Sequence, residues 1–226
     1  MKLYNTTLEA KFISRPNRFI AYAQVGSDVC LCHVKNTGRC RELLTEGARV
    51  ILSIADDPKR KTKYDLVAVY KGEELINIDS QAPNKVFGEW LHQGALGALS
   101  LIRPEYTYKN SRFDFYLEKE DRRIFAEIKG VTLEENGVVM FPDAPTERGI
   151  KHLRELTDAV KDGYEAYVFF IVQMDSCKYF TPNRVTHPQF AEALVKARES
   201  GVRIRALTCK VTPDSLCIDR ELVIRL

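Results

Sequence analysis

The chain has 226 residues, 45% of them apolar and 29% charged. That is enough hydrophobic material to pack one large or two small domains, and too much for a disordered or collagen-like polymer. Its 34 basic and 31 acidic residues leave a formal charge of +3, too small to name a partner. No run approaches the roughly 18 consecutive apolar residues of a membrane helix, and residues 1–7 lack the apolar core of an export signal. The expectation is a cytoplasmic protein with no membrane partner.

Residues 1–80 read as short strands at 7–13, 18–25, 29–34, 49–55, 65–70 and 75–78, with one helical turn at 42–45. Turn signals at Arg15-Pro16-Asn17, Gly26-Ser27-Asp28, Asn36-Thr37-Gly38 and Lys71-Gly72 separate them. Five or six short strands in such a length predict a small β-barrel of the oligonucleotide-binding (OB-like) kind. The texture changes after Ser80. Pro83 opens a helix predicted to run to Leu99, followed by strands at 104–108, 113–117 and 124–128 and a helix over 145–161. A very apolar strand at 164–173, a helix at 188–200 and strands at 202–210 and 216–226 complete the chain. Residues 81–226 thus predict an α/β domain with a mixed sheet flanked by helices, and the whole chain an α+β protein of two domains.

Charge is unevenly placed. Residues 1–80 hold 13 basic and 10 acidic side chains, whereas residues 81–226 hold 21 of each. The basic residues interleave with Tyr4, Phe12, Phe19 and Tyr22, a pattern suited to tracking a phosphate backbone while stacking on bases. Arg39 and Arg41 are the candidate phosphate contacts, with His33 and Asn36 as further candidates for nucleic-acid contact; Asn36-Thr37-Gly38 reads equally as a turn that needs a glycine. The six cysteines lack ligand spacing and read as reduced thiols. His92 and His187 read as structural.

Three residues carry the chemistry. Asp114 lies in one strand and Glu127-Ile128-Lys129 ends the next, so Glu127 and Lys129 share a face by strand alternation. If the strands are neighbours, two carboxylates converge into an oxygen-rich seat for Mg²⁺ or Mn²⁺, with an ammonium beside it to orient water or balance charge on a phosphorane-like transition state. Glycoside hydrolysis by paired carboxylates would leave Lys129 and the basic barrel unexplained.

This arrangement resembles the PD-(D/E)xK nuclease superfamily of restriction-endonuclease-like fold, with Phe113 standing where that pattern has proline. Longer strings, above all the run from Phe141 to Leu156 (FPDAPTERGIKHLREL), resemble the sugar fermentation stimulation protein A family over nearly the whole chain. The resemblance implies an OB barrel joined to a nuclease-like domain, DNA binding, and a link to maltose utilisation. It implies metal and water positions at Asp114, Glu127 and Lys129, with Glu89 as a further carboxylate on the preceding helix. Arg148, Lys151, His152 and Glu155 fall on one helix face at i, i+3, i+4 and i+7. Arg148 and Lys151 suit phosphate at the helix start, and His152 suits a general acid. The leading expectation is metal-dependent phosphodiester hydrolysis of DNA or RNA. Its alternative is a non-enzymatic DNA-binding regulator of sugar use. The oligomeric state, homodimer included, stays open.

Overall fold

A computed structural model describes residues 1–36, 38–57 and 59–226; Thr37 of the predicted turn, and Pro58, lie outside them. The first strands are β1 (Thr7–Ser14), β2 (Ile20–Val25), β3 (Asp28–Val34), β4 (Arg49–Ile54), β5 (Tyr64–Lys71) and β6 (Glu74–Asn77). Alternation drives them together: Ala21, Ala23, Cys32 and Val34 point inward and are buried, while Tyr22, Gln24 and Leu31 face out. Antiparallel pairing runs β3-β2-β1-β4-β5, and β3 then pairs in parallel with β5 at Cys32–Val34 against Tyr64–Leu66. This closes a five-strand barrel, OB-like as expected, with β6 added outside β5. Leu43 and Leu44, in the connection from β3 to β4, pack into its core. Tyr4 and Phe12 are also buried, at 5% and 4% exposure, so only Phe19 and Tyr22 of the four interleaved aromatics are available to a ligand.

The second part contains α1 (Ala82–His92), β7 (Leu101–Tyr108), β8 (Ser111–Lys119), β9 (Arg122–Val131), β10 (Leu133–Glu135), β11 (Val138–Phe141) and α2 (Glu147–Lys161). Then follow β12 (Glu165–Val172), β13 (Tyr179–Pro182), α3 (Pro188–Glu199), β14 (Arg203–Val211), β15 (Leu216–Glu221) and β16 (Val223–Ile224). The main sheet has the order β15-β14-β12-β9-β8-β7, parallel at its centre and antiparallel at both margins. Central β12 is apolar on both faces because both are covered. Phe169 and Ile171 pack with Phe87 and Leu91 of α1, while Val168 and Phe170 pack with Leu153 of α2 and Phe190 of α3. The latter core runs on without interruption into the barrel. Polar contacts reinforce the join: the Asn77 N–H donates to the Gln173 carbonyl at 3.0 Å, and Gln173 Nε2 donates to Asn77 Oδ1 at 2.8 Å.

Two expectations are corrected. The first helix ends at His92 instead of Leu99, because the chain turns through Gly94 (φ +81°) and Gly97 (φ +83°), a region that opposes helix continuation. A second, four-stranded sheet of order β10-β11-β13-β16 lies where the sequence suggested loops, and the predicted last strand is divided between the two sheets. Among the described residues no helix is long and apolar enough to cross a membrane.

Candidate active site and nucleic-acid interface

The ladder between β8 and β9 pairs residues from Lys119–Arg122 up to Phe115–Ala126 and stops short of Asp114. There the Asp114 carboxylate takes the place of a backbone partner: Oδ2 accepts the Ile128 N–H at 2.7 Å, and Oδ1 accepts from Asn84 Nδ2 at 2.8 Å. The strand rolls at this point, since Phe113 packs on the α2 side of the sheet and Phe115 on the α1 side. Opposite, in β7, Glu105 adopts φ +54°. The split strands hold Asp114 between the two faces.

Glu127 and Lys129 share a face, as alternation predicts, while Ala126 and Ile128 pack toward α1. Glu127 is 3% exposed. Its Oε1 accepts from Lys129 Nζ at 2.6 Å and pairs with His152 Nδ1. Its Oε2 is buried with no hydrogen-bond partner among the described residues. An orphaned carboxylate oxygen inside a protein costs free energy unless something cationic or protic meets it.

His152 is buried against Phe113 and uses both ring nitrogens. Arg148 Nε, which can only donate, reaches His152 Nε2 at 3.4 Å. Nε2 is therefore the acceptor and the proton sits on Nδ1, directed at Glu127. In this arrangement both ring nitrogens of His152 are engaged, Nδ1 with Glu127 and Nε2 with Arg148. The helix face itself forms as predicted: Lys151 Nζ donates to the Asn110 carbonyl at 3.2 Å and pairs with Glu155 at 3.7 Å, and Glu155 accepts from Ser111.

Burial works against the Glu127 charge, but the His152 hydrogen bond and the Lys129 ammonium outweigh it and hold the carboxyl below its usual range. Asp114 moves the other way. Burial, then the nearby Glu127 charge, push its pKa up. One well-compensated acid beside one repelled acid is a pair that a cation would relieve. Among the described residues no group of three or more His, Cys, Asp or Glu side chains forms a metal cage. A hard cation that keeps waters and substrate oxygens needs only one or two carboxylates, so Asp114 with the orphaned Glu127 oxygen fits such an ion.

Glu89 is not brought to this pair. Its carboxylate meets the Met1 ammonium at 2.8 Å, on the side of β15. The α1 residue that does reach the site is Asn84, missed in the sequence. The signal was there in the helical row Asn84, Gly88, His92, which lines a cavity of about 470 Å³ together with Asp114.

In the barrel, Arg39 and Arg41 are exposed and line a groove of about 380 Å³ with Arg15 and Arg18. Arg15 is spent on structure, donating to the carbonyls of Arg18, Asn36, Gly38 and Arg39. Asn36 is occupied too: Nδ2 donates to the Ile78 carbonyl at 2.9 Å and Oδ1 accepts the Gly38 N–H at 2.7 Å. Gly38 is required by close approach, since a Cβ there would lie 2.7 Å from Asp143 Oδ2. His33 Nδ1 lies 3.1 Å from Asp65, a buried carboxylate that also takes Arg60 at 2.7 Å and Lys35 at 3.4 Å. Burial raises the Asp65 pKa, but Arg60, Lys35 and His33 together lower it below normal. A depressed carboxyl contributes stability above its unfolded pKa of about 3.9 and loses it as pH falls through the folded value. Asp65→Asn is therefore expected to narrow the difference in urea midpoint between pH 7 and pH 3. A difference as wide as wild type would deny Asp65 this role.

Residues 13–78 match the SfsA N-terminal OB domain, and residues 81–215 match the sugar fermentation stimulation protein RE domain. The sugar fermentation stimulation protein homolog of Desulfitobacterium hafniense (strain DSM 10664 / DCB-2) is 60% identical over 213 residues, covering 94% of this chain and 93% of that protein. The homolog of Ruminiclostridium cellulolyticum is 51% identical over 224 residues, 99% of each. Among solved structures, Pyrococcus furiosus SfsA in complex with Ca²⁺ superposes with a TM-score of 0.91 over 100% of both chains at 28% identity. The chain belongs to the sugar fermentation stimulation protein family.

Proposed function

We propose that this chain binds nucleic acid through its barrel, up to about residue 80, and hydrolyses phosphodiesters with a divalent cation in the remainder. The observation that carries this reading is the buried, unpartnered Glu127 Oε2 beside an Asp114 whose charge is opposed by Glu127. The Ca²⁺ held by the Pyrococcus relative supports a divalent site. Asp114 and Glu127 would hold Mg²⁺ or Mn²⁺, which when bound acts as a Lewis acid on the phosphate and eases deprotonation of water. Lys129, 17% exposed at its side chain, keeps a positive charge at the mouth of the pair where negative charge grows in the transition state. His152 holds Glu127 in one rotamer, and Asn84 does the same for Asp114.

Linear and circular DNA and RNA incubated with Mg²⁺ or Mn²⁺ test the proposal. Cleavage that a chelator stops and Lys129→Ala loses is expected; binding without cleavage under any metal would contradict it. Arg39→Ala and Arg41→Ala should each lower the slope of log K against log salt by about one contact's worth, roughly 0.7–0.9. An unchanged slope would remove both residues from the phosphate path.

A further inference from the structure

Gly88 sits in the interior of α1, where glycine is a poor helix former, and its backbone conformation does not call for one. Packing does not call for it either: a Cβ there would lie 3.7 Å from the Phe115 ring, an ordinary contact. What the bare backbone leaves is room, in the cavity of about 470 Å³ that has Asp114 on its wall. The opposite wall departs from regular structure too. The β7–β8 ladder pairs Pro104 with Phe115 and Tyr106 with Phe113, while Glu105 and Asp114 between them drop out. Glu105 sits at φ +54°, a strained conformation for a residue with a side chain. Ile102, Pro104 and Phe115 make the recess partly apolar, and Lys85 and His92 stand exposed at its rim. Asn84 is spent on Asp114, but Lys85 and His92 have no ion pair or side-chain hydrogen bond among the described residues.

A helix that gives up a side chain, a strand held in strain and two unspent basic groups converge on one space. A flat group with apolar faces, a polar edge and an attached phosphate fits it, which describes a nucleotide. We infer that this recess seats the nucleoside joined to the phosphate that the Asp114–Glu127 pair cuts. Each cleavage then takes one nucleotide out of its stack, at a chain end, in an unpaired stretch or swung out of a duplex, because a stacked and paired base cannot enter a cavity. The inference rests on the hydrolysis proposed above and deepens it. Phe115 and Pro104 flank the base, Gly88 leaves the space for it, and Lys85 and His92 orient it through its polar edge and the neighbouring phosphate.

The test is titration calorimetry of the full chain in Mg²⁺ with deoxynucleoside 5′-monophosphates, which hold no phosphodiester to cut, beside inorganic phosphate. A monophosphate should bind at least about tenfold more tightly than phosphate. Gly88→Leu, which fills the recess, should abolish that advantage and leave phosphate affinity unchanged. It should hold or raise the melting temperature, since leucine is the better helix former. On single-stranded DNA the same variant should lower kcat/KM by at least about tenfold. Lys85→Ala, at an exposed position without a fold contact, should weaken monophosphate binding severalfold, which keeps the inference testable if Gly88→Leu melts early. Monophosphate no tighter than phosphate, or Gly88→Leu binding and cutting like wild type, overturns the recess and leaves the hydrolytic proposal standing. Monophosphate binding lost in Gly88→Leu with cleavage unchanged would assign the recess to a free nucleotide and overturn its place in cleavage. Base-dependent binding that Gly88→Leu removes, in a protein that cuts nothing under any metal, would keep the nucleotide site and remove the hydrolytic proposal alone.

Discussion

Asp114→Asn is expected to lower metal-dependent cleavage by at least about 100-fold while leaving the protein folded and able to bind nucleic acid. The substitution removes one of the two charges that draw the cation and changes little in volume. Its effect on stability is the balance of two opposed terms. Burial and Glu127 both disfavour the Asp114 charge, so neutralising it relieves repulsion. Yet both Asp114 oxygens accept hydrogen bonds, from Ile128 N–H and Asn84 Nδ2, and an asparagine must turn its own NH₂ toward one of those donors. Cleavage assays beside thermal melts separate these effects. Retained activity at wild-type rate would remove Asp114 from the cation site.

His152→Ala carries the second large effect, and it falls on stability. The imidazole supplies a hydrogen bond to a carboxylate only 3% exposed, and truncation leaves Glu127 with Lys129 alone. Hydrogen bonds to buried charged groups contribute about 1.5–3 kcal/mol, so the melting temperature should fall by roughly 3–12 °C in a chain of this length. The pH dependence has a fixed sign. Glu127 has a depressed pKa, so its contribution is present above the unfolded carboxyl value, about 4.3, and disappears as pH falls through the folded one. Removing His152 raises the folded value, and the gap between variant and wild type should narrow as pH drops from 7 toward 3. A gap that is constant with pH would mean that His152 serves packing alone.

The barrel was legible in the sequence because alternation and turn residues act locally. Ala21, Ala23 and Cys32 alternate with exposed neighbours, and the predicted strand boundaries lie within a few residues of those observed. Glu127, Lys129 and the 148–155 helix face were legible for the same reason, since strand and helix periods place side chains without knowledge of the rest of the chain. What failed depended on partners distant in sequence. Leu96 and Leu99 continued a helical stripe, but Gly94 and Gly97 at positive φ end α1 first. The small second sheet is built from strands of two to four residues whose parallel partners, Val139 with Phe180 and Phe180 with Ile224, lie about 40 residues apart in the chain. Neither periodicity nor propensity registers such short pieces. Asn84 was passed over, and Glu89 preferred, because charge is visible in a sequence and a helix's rotation about its axis is not. The partners of His33 and Asn36, Asp65 and Ile78, were hidden for the same reason, since they belong to other strands and turns.

A crystal soaked in Mn²⁺ and measured at the manganese edge shows whether Asp114 and Glu127 hold a cation. One anomalous peak is expected within coordination distance of Glu127 Oε2 and the Asp114 carboxylate, absent in Asp114→Asn. A Glu127 oxygen that stays unmet while Mn²⁺ binds elsewhere, or nowhere, would contradict it.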